Sequence, residues 1–257
     1  MLKHLLRATL LLLCSNMAHA QRPLQLCYES FDETPNLPQL QIGNERIAGF
    51  HAAVVAHALQ QQQLPYQLHR LPWRRCLAEA SRGQMDAAIG VGWTAERAEN
   101  FYFPLQQQLP DTEKRLTFVN YYIYALADSA LHWDGEQITG VHYGLAAPKG
   151  YVAEHKLKQL GVLQPLDSSI GSGLALVLNN RLDGYVLPGS VAEAQLAEHP
   201  QAHKIRKIEP AFLRQDLFLA ISKRSSKLDE PSREQLWQQI VISRVTLFAN
   251  PPLPQVD

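Results

Sequence analysis

The chain lacks an excess of charge of either sign: 24 lysines and arginines stand against 24 aspartates and glutamates in 257 residues. That balance excludes a basic nucleic-acid binder and an acidic, solvating chain. Cysteine is scarce, three in all, too few for a disulfide scaffold and without zinc spacing. With 14 glycines, 16 prolines and 19% charged residues, the chain is neither collagenous nor disordered. No apolar run reaches the roughly 18–20 residues needed to span a bilayer. Cofactor and catalytic signatures are missing too: there is no G-x-G-x-x-G after a strand, no G-x-x-x-x-G-K-[ST] and no H-E-x-x-H. Gly171-Ser172-Gly173 lacks the spacing of a nucleophile elbow. His199 and His203 are four apart, but Pro200 breaks a shared helical face, so no metal or cofactor is expected. What remains is a 46% hydrophobic chain, enough for one large domain or two compact ones.

The first twenty residues, MLKHLLRATLLLLCSNMAHA, read as a cleaved signal peptide. Lys3 and Arg7 form the positive region, Ala8 to Leu13 the apolar core, and Ala18-His19-Ala20 the small-residue cleavage site. Leu13 before Cys14 does not suit a lipobox, so a soluble exported protein is expected in the periplasm. Without this segment the chain becomes mildly acidic and keeps two cysteines, Cys27 and Cys76. In an oxidising compartment two thiols point to one disulfide; two separately buried thiols are the alternative.

Periodicity organises the rest. Leu24 to Tyr28 is a strand, and Phe50, Ala53, Val54, His57 and Ala58 mark a helix that Pro65 stops, with His57 a structural, partly buried residue. Tyr66 to Leu71, a helix from about Arg75 to Ser81, and Met85 to Val91 follow. This β-α-β-α-β order favours a parallel sheet whose ligands collect at the carboxyl ends of the strands. Those ends carry Tyr28-Glu29, Trp73-Arg74 and Gly92-Trp93-Thr94. Leu116 to Leu126 is long enough to run between lobes. A second βαβ pattern follows: a strand ending at Gly144 to Ala147, a helix opened by Lys149-Gly150-Tyr151, a helix from Ser172 to Asn180, and a buried strand from Leu182 to Leu187. Ser190 opens a capping box, Phe212 to Ile221 is a strand able to return to the first lobe, and Ser232 with Gln235 caps a final helix. Two similar halves joined by two crossing strands describe a bilobal α/β protein with a cleft.

The run Gly83-Gln84-Met85-Asp86, the apolar strand behind it, Thr94-Ala95-Glu96-Arg97 and Phe101-Tyr102-Phe103-Pro104 resembles the family 3 periplasmic solute-binding proteins. Ile47-Ala48-Gly49-Phe50, Lys149-Gly150-Tyr151 and Arg181-Leu182-Asp183-Gly184 extend the likeness over nearly the whole exported chain, and Pro72-Trp73-Arg74-Arg75-Cys76 looks like a subgroup of stand-alone members. The resemblance implies the type II periplasmic binding fold: two lobes, each a mostly parallel sheet flanked by helices, with two crossing strands as the hinge. Residues 21–120 would begin lobe 1, 121–212 would form lobe 2, 213–249 would return to lobe 1, and 250–257 would be a loose tail.

Carried over residue by residue, the resemblance makes Arg97 the clamp for a ligand carboxylate. A guanidinium offers a planar fork of donors, and closing a cleft removes competing water. Thr94 adds a donor, and Gly90 and Gly92 stand where relatives often place serines, leaving backbone amides. In amino-acid binders of the family an aspartate after the second-lobe strand holds the ligand ammonium; here that position falls on Pro188, while Asp183 belongs to the start of the strand. Glu29 is the candidate replacement, unless the ligand has no ammonium there. Tyr28, Trp73, Trp93 and Tyr151 are candidate aromatic walls. Helix starts at Gly150 and Ser172 would favour an anionic group. The implied function is binding of a small carboxylate-bearing molecule, an amino acid or a relative, for a membrane permease or a sensor, by a monomer without enzymatic activity or nucleic-acid partner. The alternatives are a dehydratase of prephenate or arogenate on the same scaffold, using Glu29 or Glu96 as acid, and an accessory domain that contacts a sensor without a ligand of its own.

Overall fold

The computed structural model describes residues 22–29, 39–166, 172–197 and 199–248. The expected signal peptide, Cys14, the polar stretch 30–38, Gly171, Glu198 and the tail 250–257 lie outside the described residues. In chain order the elements are β1 (Leu24–Glu29), the hairpin β2 (Gln39–Ile42) and β3 (Glu45–Ala48), α1 (Phe50–Gln61), β4 (Tyr66–Leu71), α2 (Trp73–Ser81), β5 (Ala87–Gly92), α3 (Ala95–Asn100) and β6 (Phe101–Tyr102). There follow the hairpin β7 (Leu105–Gln106) and β8 (Leu109–Pro110), β9 (Thr117–Leu126), the pair β10 (His132–Trp133) and β11 (Ile138–Thr139), and β12 (Leu145–Ala146). The chain then forms α4 (Val152–Gln159), α5 (Ser172–Leu178), β13 (Gly184–Pro188), α6 (Gly189–Ala197), β14 (Ile205–Ser222) and α7 (Glu230–Phe248).

One sheet runs through both lobes in the order β12-β13-β9-β14-β5-β1-β4. In the first lobe β1 pairs in parallel with β4 and β5, and β14 lies antiparallel to β5. The second lobe repeats the pattern: β12 pairs in parallel with β13 and, by a single bridge, with Leu163, and β9 lies antiparallel to β13. Each half-sheet thus takes its antiparallel strand from one of the two long crossing strands, which also pair with each other. The two-lobe α/β fold with crossing strands is therefore present.

Packing follows the alternation of the strands. On one face of the first lobe Leu24, Leu26, Ala87 and Ile89 meet α1 and α7; on the other Cys27, Ala88 and Val91 meet α2. His57 Nδ1 lies 2.8 Å from Ser243 Oγ, joining α1 to α7, and Trp237 Nε1 donates to the Leu219 carbonyl at 3.0 Å. Two further clusters cover the faces of the second half-sheet, one around Ile123, Leu145 and Val186, the other around Tyr124, Tyr185 and Leu187.

Three local readings differ. The final helix is capped by Asp229, whose Oδ1 accepts from the Ser232 amide at 2.9 Å, so Ser232 lies inside the first turn and is not the cap. Helix α6 begins at Gly189, which puts Ser190 within the helix. Strand β14 starts at Ile205, because its polar Arg206, Lys207 and Glu209 pair along β9 or face outward, hiding that half from a hydrophobic pattern.

Two buried cross-links set the frame, one covalent and one polar. Cys27 and Cys76 form a disulfide with Cα atoms 5.6 Å apart, stapling β1 to α2 across 49 residues. Asp86, 6% exposed, accepts from the Gln25 amide (2.7 Å), Ser225 Oγ (2.6 Å) and Lys227 Nζ (2.7 Å). The motif aspartate therefore ties β1 to the turn after β14. By chain entropy the bridge stabilises the fold by about 4 kcal/mol, so Cys76→Ser should lower the melting temperature by roughly 10 °C in a thermal scan. Asp86→Ala leaves the Gln25 amide and Ser225 without their acceptor, while Lys227 keeps the Pro23 carbonyl at 2.9 Å, and should cost about 2 kcal/mol by urea denaturation.

Candidate functional site

The carboxyl ends of the first-lobe strands meet the second lobe at Arg97. The side chain rides on α3, a short helix that the hydrophobic pattern did not signal because it buries none of its residues. Thr94 is its N-cap: its hydroxyl oxygen accepts from the Arg97 amide at 3.1 Å. That bond makes Thr94 a positioning group for Arg97. The guanidinium reaches both lobes, donating from Nη1 to the Gly92 carbonyl (2.7 Å) and from Nη2 to the Gly150 carbonyl (2.6 Å). Its carbon stands 6.0 Å from the centre of the Trp73 ring. Burial pulls its pKa below the usual arginine range, but a guanidinium remains a cation at any physiological pH.

Trp73 and Tyr151 complete the wall. The indole Nε1 donates to the Gly150 carbonyl at 3.2 Å. Tyr151 meets Trp73 and Tyr121 edge to face, each at 6.4 Å between ring centres, and its hydroxyl donates to Glu29 Oε2 at 2.9 Å. Glu29 sits at the end of β1, and burial lifts its carboxyl from 4.5 to about 7, against the opposing pull of hydrogen bonds from the Tyr151 hydroxyl and the Trp73 backbone. A side chain at Gly92 would place its Cβ 2.9 Å from the Gln215 side chain of β14, which would have to shift to admit it.

Six expected residues therefore converge, Arg97, Gly92, Trp73, Gly150, Tyr151 and Glu29, with Thr94 behind them. Tyr28 does not join: strand alternation turns its ring toward the α1 side of the sheet, where it is half-buried. Trp93 packs on the cluster around the disulfide, with its Nε1 buried and unpartnered. The amide of Gly150, expected to face an anionic ligand, donates instead to Glu154 Oε2 at 2.7 Å, while the Gly150 carbonyl serves Arg97. Helix α5, begun by Ser172, has only seven residues. Pro188 closes β13 directly opposite Tyr121, so the second-lobe strand meets the cleft without a carboxylate. Asp183, at the other end, accepts the amides of His142, Tyr143 and Gly144 on one oxygen at 2.6–2.8 Å and holds the loop before β12.

Sequence reasoning missed Tyr121, which lay inside the aromatic run of β9; period-2 alternation, which buries 121, 123 and 125 together, was the available signal. It also missed His51 on the first turn of α1, whose Nδ1 lies 3.6 Å from where a Gly90 Cβ would be and whose pKa burial pushes down to about 4. On the flank of Arg97 a cavity of about 620 Å³ opens between α2, α3 and α4, lined among others by Ser81, Glu96, Asn100, Glu154, His155 and Lys158. Among the described residues no group of three His, Cys, Asp or Glu is placed to hold a metal ion.

No protein-family model and no curated protein matches the sequence. Solved structures do. A histidine kinase sensor domain with similarity to periplasmic binding proteins aligns with a TM-score of 0.66 at 16% identity, over 89% of this chain and 92% of its own. The GluR0 ligand-binding core from Nostoc punctiforme, in complex with L-glutamate, aligns at 0.63 and 14%, over 89% and 100%. The arginine-, lysine-, histidine-binding protein ArtJ from Geobacillus stearothermophilus aligns at 0.63 and 15%, over 90% and 96%. These likenesses define the class of structure: a type II periplasmic binding fold.

The folded state holds the Glu29 proton up to about pH 7, whereas the unfolded chain releases it near 4.5. Between those values the native state binds more protons, so this group makes stability fall as pH rises. His51, protonated less readily when folded, acts in the opposite direction between about 4 and 6.5. The comparison is therefore between variant and wild type. Glu29→Gln should gain stability on wild type as pH rises from 5 to 8, by on the order of 3 kcal/mol at most, read from urea midpoints.

Proposed function

We propose that the protein is a periplasmic solute-binding protein that closes over a small carboxylate-bearing molecule, an amino acid or a relative, and serves transport or sensing. The observation that carries this reading is the Arg97 guanidinium, half-buried and held between the lobes with one nitrogen on each. In a cleft closed to water, two parallel N–H donors hold a carboxylate more strongly than at an exposed surface. Trp73 and Tyr121 supply an apolar wall, and Glu29 a carboxylate for an ammonium in place of the one absent at Pro188. The neighbours on this fold, an ABC-transporter substrate-binding protein, amino-acid-binding proteins and a sensor domain, support both destinations. A permease or a sensor kinase is then the partner, the binding protein itself a monomer, and the first twenty residues the export signal.

A thermal-shift screen across amino acids, polyamines, dicarboxylates and short peptides tests it. A ligand at one hundred times its Kd should add about 2.7 kcal/mol of stability. Against that ligand, Arg97→Ala should raise Kd a hundredfold or more, and Arg97→Lys should recover only part, because an ammonium has no fork. An unchanged Kd overturns the clamp.

A second reading draws on Glu29: a carboxyl protonated near neutral pH is the acid that a dehydratase would need. Turnover of prephenate, followed by absorbance, separates the two.

A further inference from the structure

The partners of the clamp come from the protein itself. Two successive residues of the second lobe present the first with an acceptor, an aromatic ring and a hydroxyl donor. The Gly150 carbonyl takes hydrogen bonds from Arg97 Nη2 at 2.6 Å and from Trp73 Nε1 at 3.2 Å. The Tyr151 ring stands edge-on between Trp73 and Tyr121, and its hydroxyl reaches Glu29 at 2.9 Å. Gly150 has φ +83°, a conformation that side chains disfavour, and a Cβ there would press to 3.4 Å on Arg74 Cγ. The positive φ lets the loop approach closely enough for its carbonyl and the following ring to face the same cluster. Every element of the cluster that would recognise a small molecule is thus engaged by an internal counterpart: the cation by a carbonyl, the wall by a ring, the carboxylate by a hydroxyl.

We propose that Gly150–Tyr151 is a built-in occupant of the cleft, which holds the lobes together at rest and which a ligand must displace. Its bearing on affinity rests on the reading that the cleft binds a ligand; the resting closure does not. The cost of displacement falls on every ligand alike, since apparent affinity is the intrinsic one reduced by the fraction of open, competent molecules. A ligand therefore has to match several of these contacts at once, and weak single-group binders are rejected. The occupant also differs in sign from an ordinary contact residue: removing it raises affinity, whereas removing a contact lowers it.

Small-angle scattering of the exported chain (residues 21–257), without added ligand, tests the closure. Wild type should be compact, near the roughly 18 Å radius of gyration of a folded chain this size. Tyr151→Ala should be larger by about 1 Å, and Tyr151→Phe, which keeps the ring and loses the Glu29 bond, intermediate. Added p-cresol should shrink Tyr151→Ala back to the wild-type radius by refilling the space between Trp73 and Tyr121, and should leave wild type unchanged. Equal radii for wild type and both variants would overturn the proposal. If Tyr151→Ala does not fold, Tyr151→Phe carries the test. L-glutamate and L-arginine, titrated into wild type and Tyr151→Phe, give a second readout: tighter binding in the variant supports an occupant, and weaker binding overturns it in favour of an ordinary contact. Expansion of the variants with no ligand effect anywhere in the panel would sustain the occupant and defeat the solute-binding function.

Discussion

The pairing of the two crossing strands is the constraint on which the rest depends. Strand β14 hydrogen-bonds to β9 from Ile205 to Leu217 and then to β5 from Leu217 to Ile221, so one continuous strand belongs to both half-sheets. Neither lobe owns a complete sheet, because the antiparallel strand of each is shared with the other. The register jumps between Ile208 and Leu213 opposite the middle of β9, and again between Phe218 and Leu219 along β5. On one side of that ladder the carboxyl ends of β1 and β5 carry Glu29 and Gly92, and across it lie Gly150 and Tyr151. Moving either strand would separate Arg97 from its second-lobe partner.

The cluster above the ladder is a small, half-buried polar system. Arg97 carries a positive charge and Glu29 a negative one only above about pH 7, and neither is paired with the other in the hydrogen-bond network. Each instead faces a neutral group of the second lobe, a carbonyl or a phenol. Neutral partners offset the cost of burying a charge less well than an opposite charge would. That is why the Glu29 carboxyl titrates near 7 and why the Arg97 guanidinium sits below its ordinary range. A zwitterionic ligand entering this cleft would give each group the charged partner it lacks.

Particular residues mark how far the sequence could be read. The T-x-x-R motif was visible through its resemblance to the family pattern; that Thr94 caps the helix and accepts from the Arg97 amide was decided by the structure. The strands β1, β4 and β5 were legible as short apolar runs between turn residues. Helix α3 was not, since an exposed six-residue helix has no apolar stripe to display. The amino-terminal half of β14 was hidden for a related reason: its stability comes from pairing with β9, which no local pattern encodes. The Cys27–Cys76 pair was open between bridge and buried thiols until the fold set the two Cα atoms 5.6 Å apart.

By itself the sequence determined the α/β order, the two-lobe plan and the identity of the cation at the strand ends. Those properties rest on local periodicity and on motifs a few residues long. Only the tertiary structure decided what surrounds that cation. Gly92, Trp73, Glu29, Tyr121 and Gly150 come from five separate stretches of chain, and contact among them depends on how two half-sheets are joined through two crossing strands. For the same reason the role of Tyr151 was out of reach: as a letter in a helix opening it is a candidate wall, and only the closed cleft makes it the partner of Glu29.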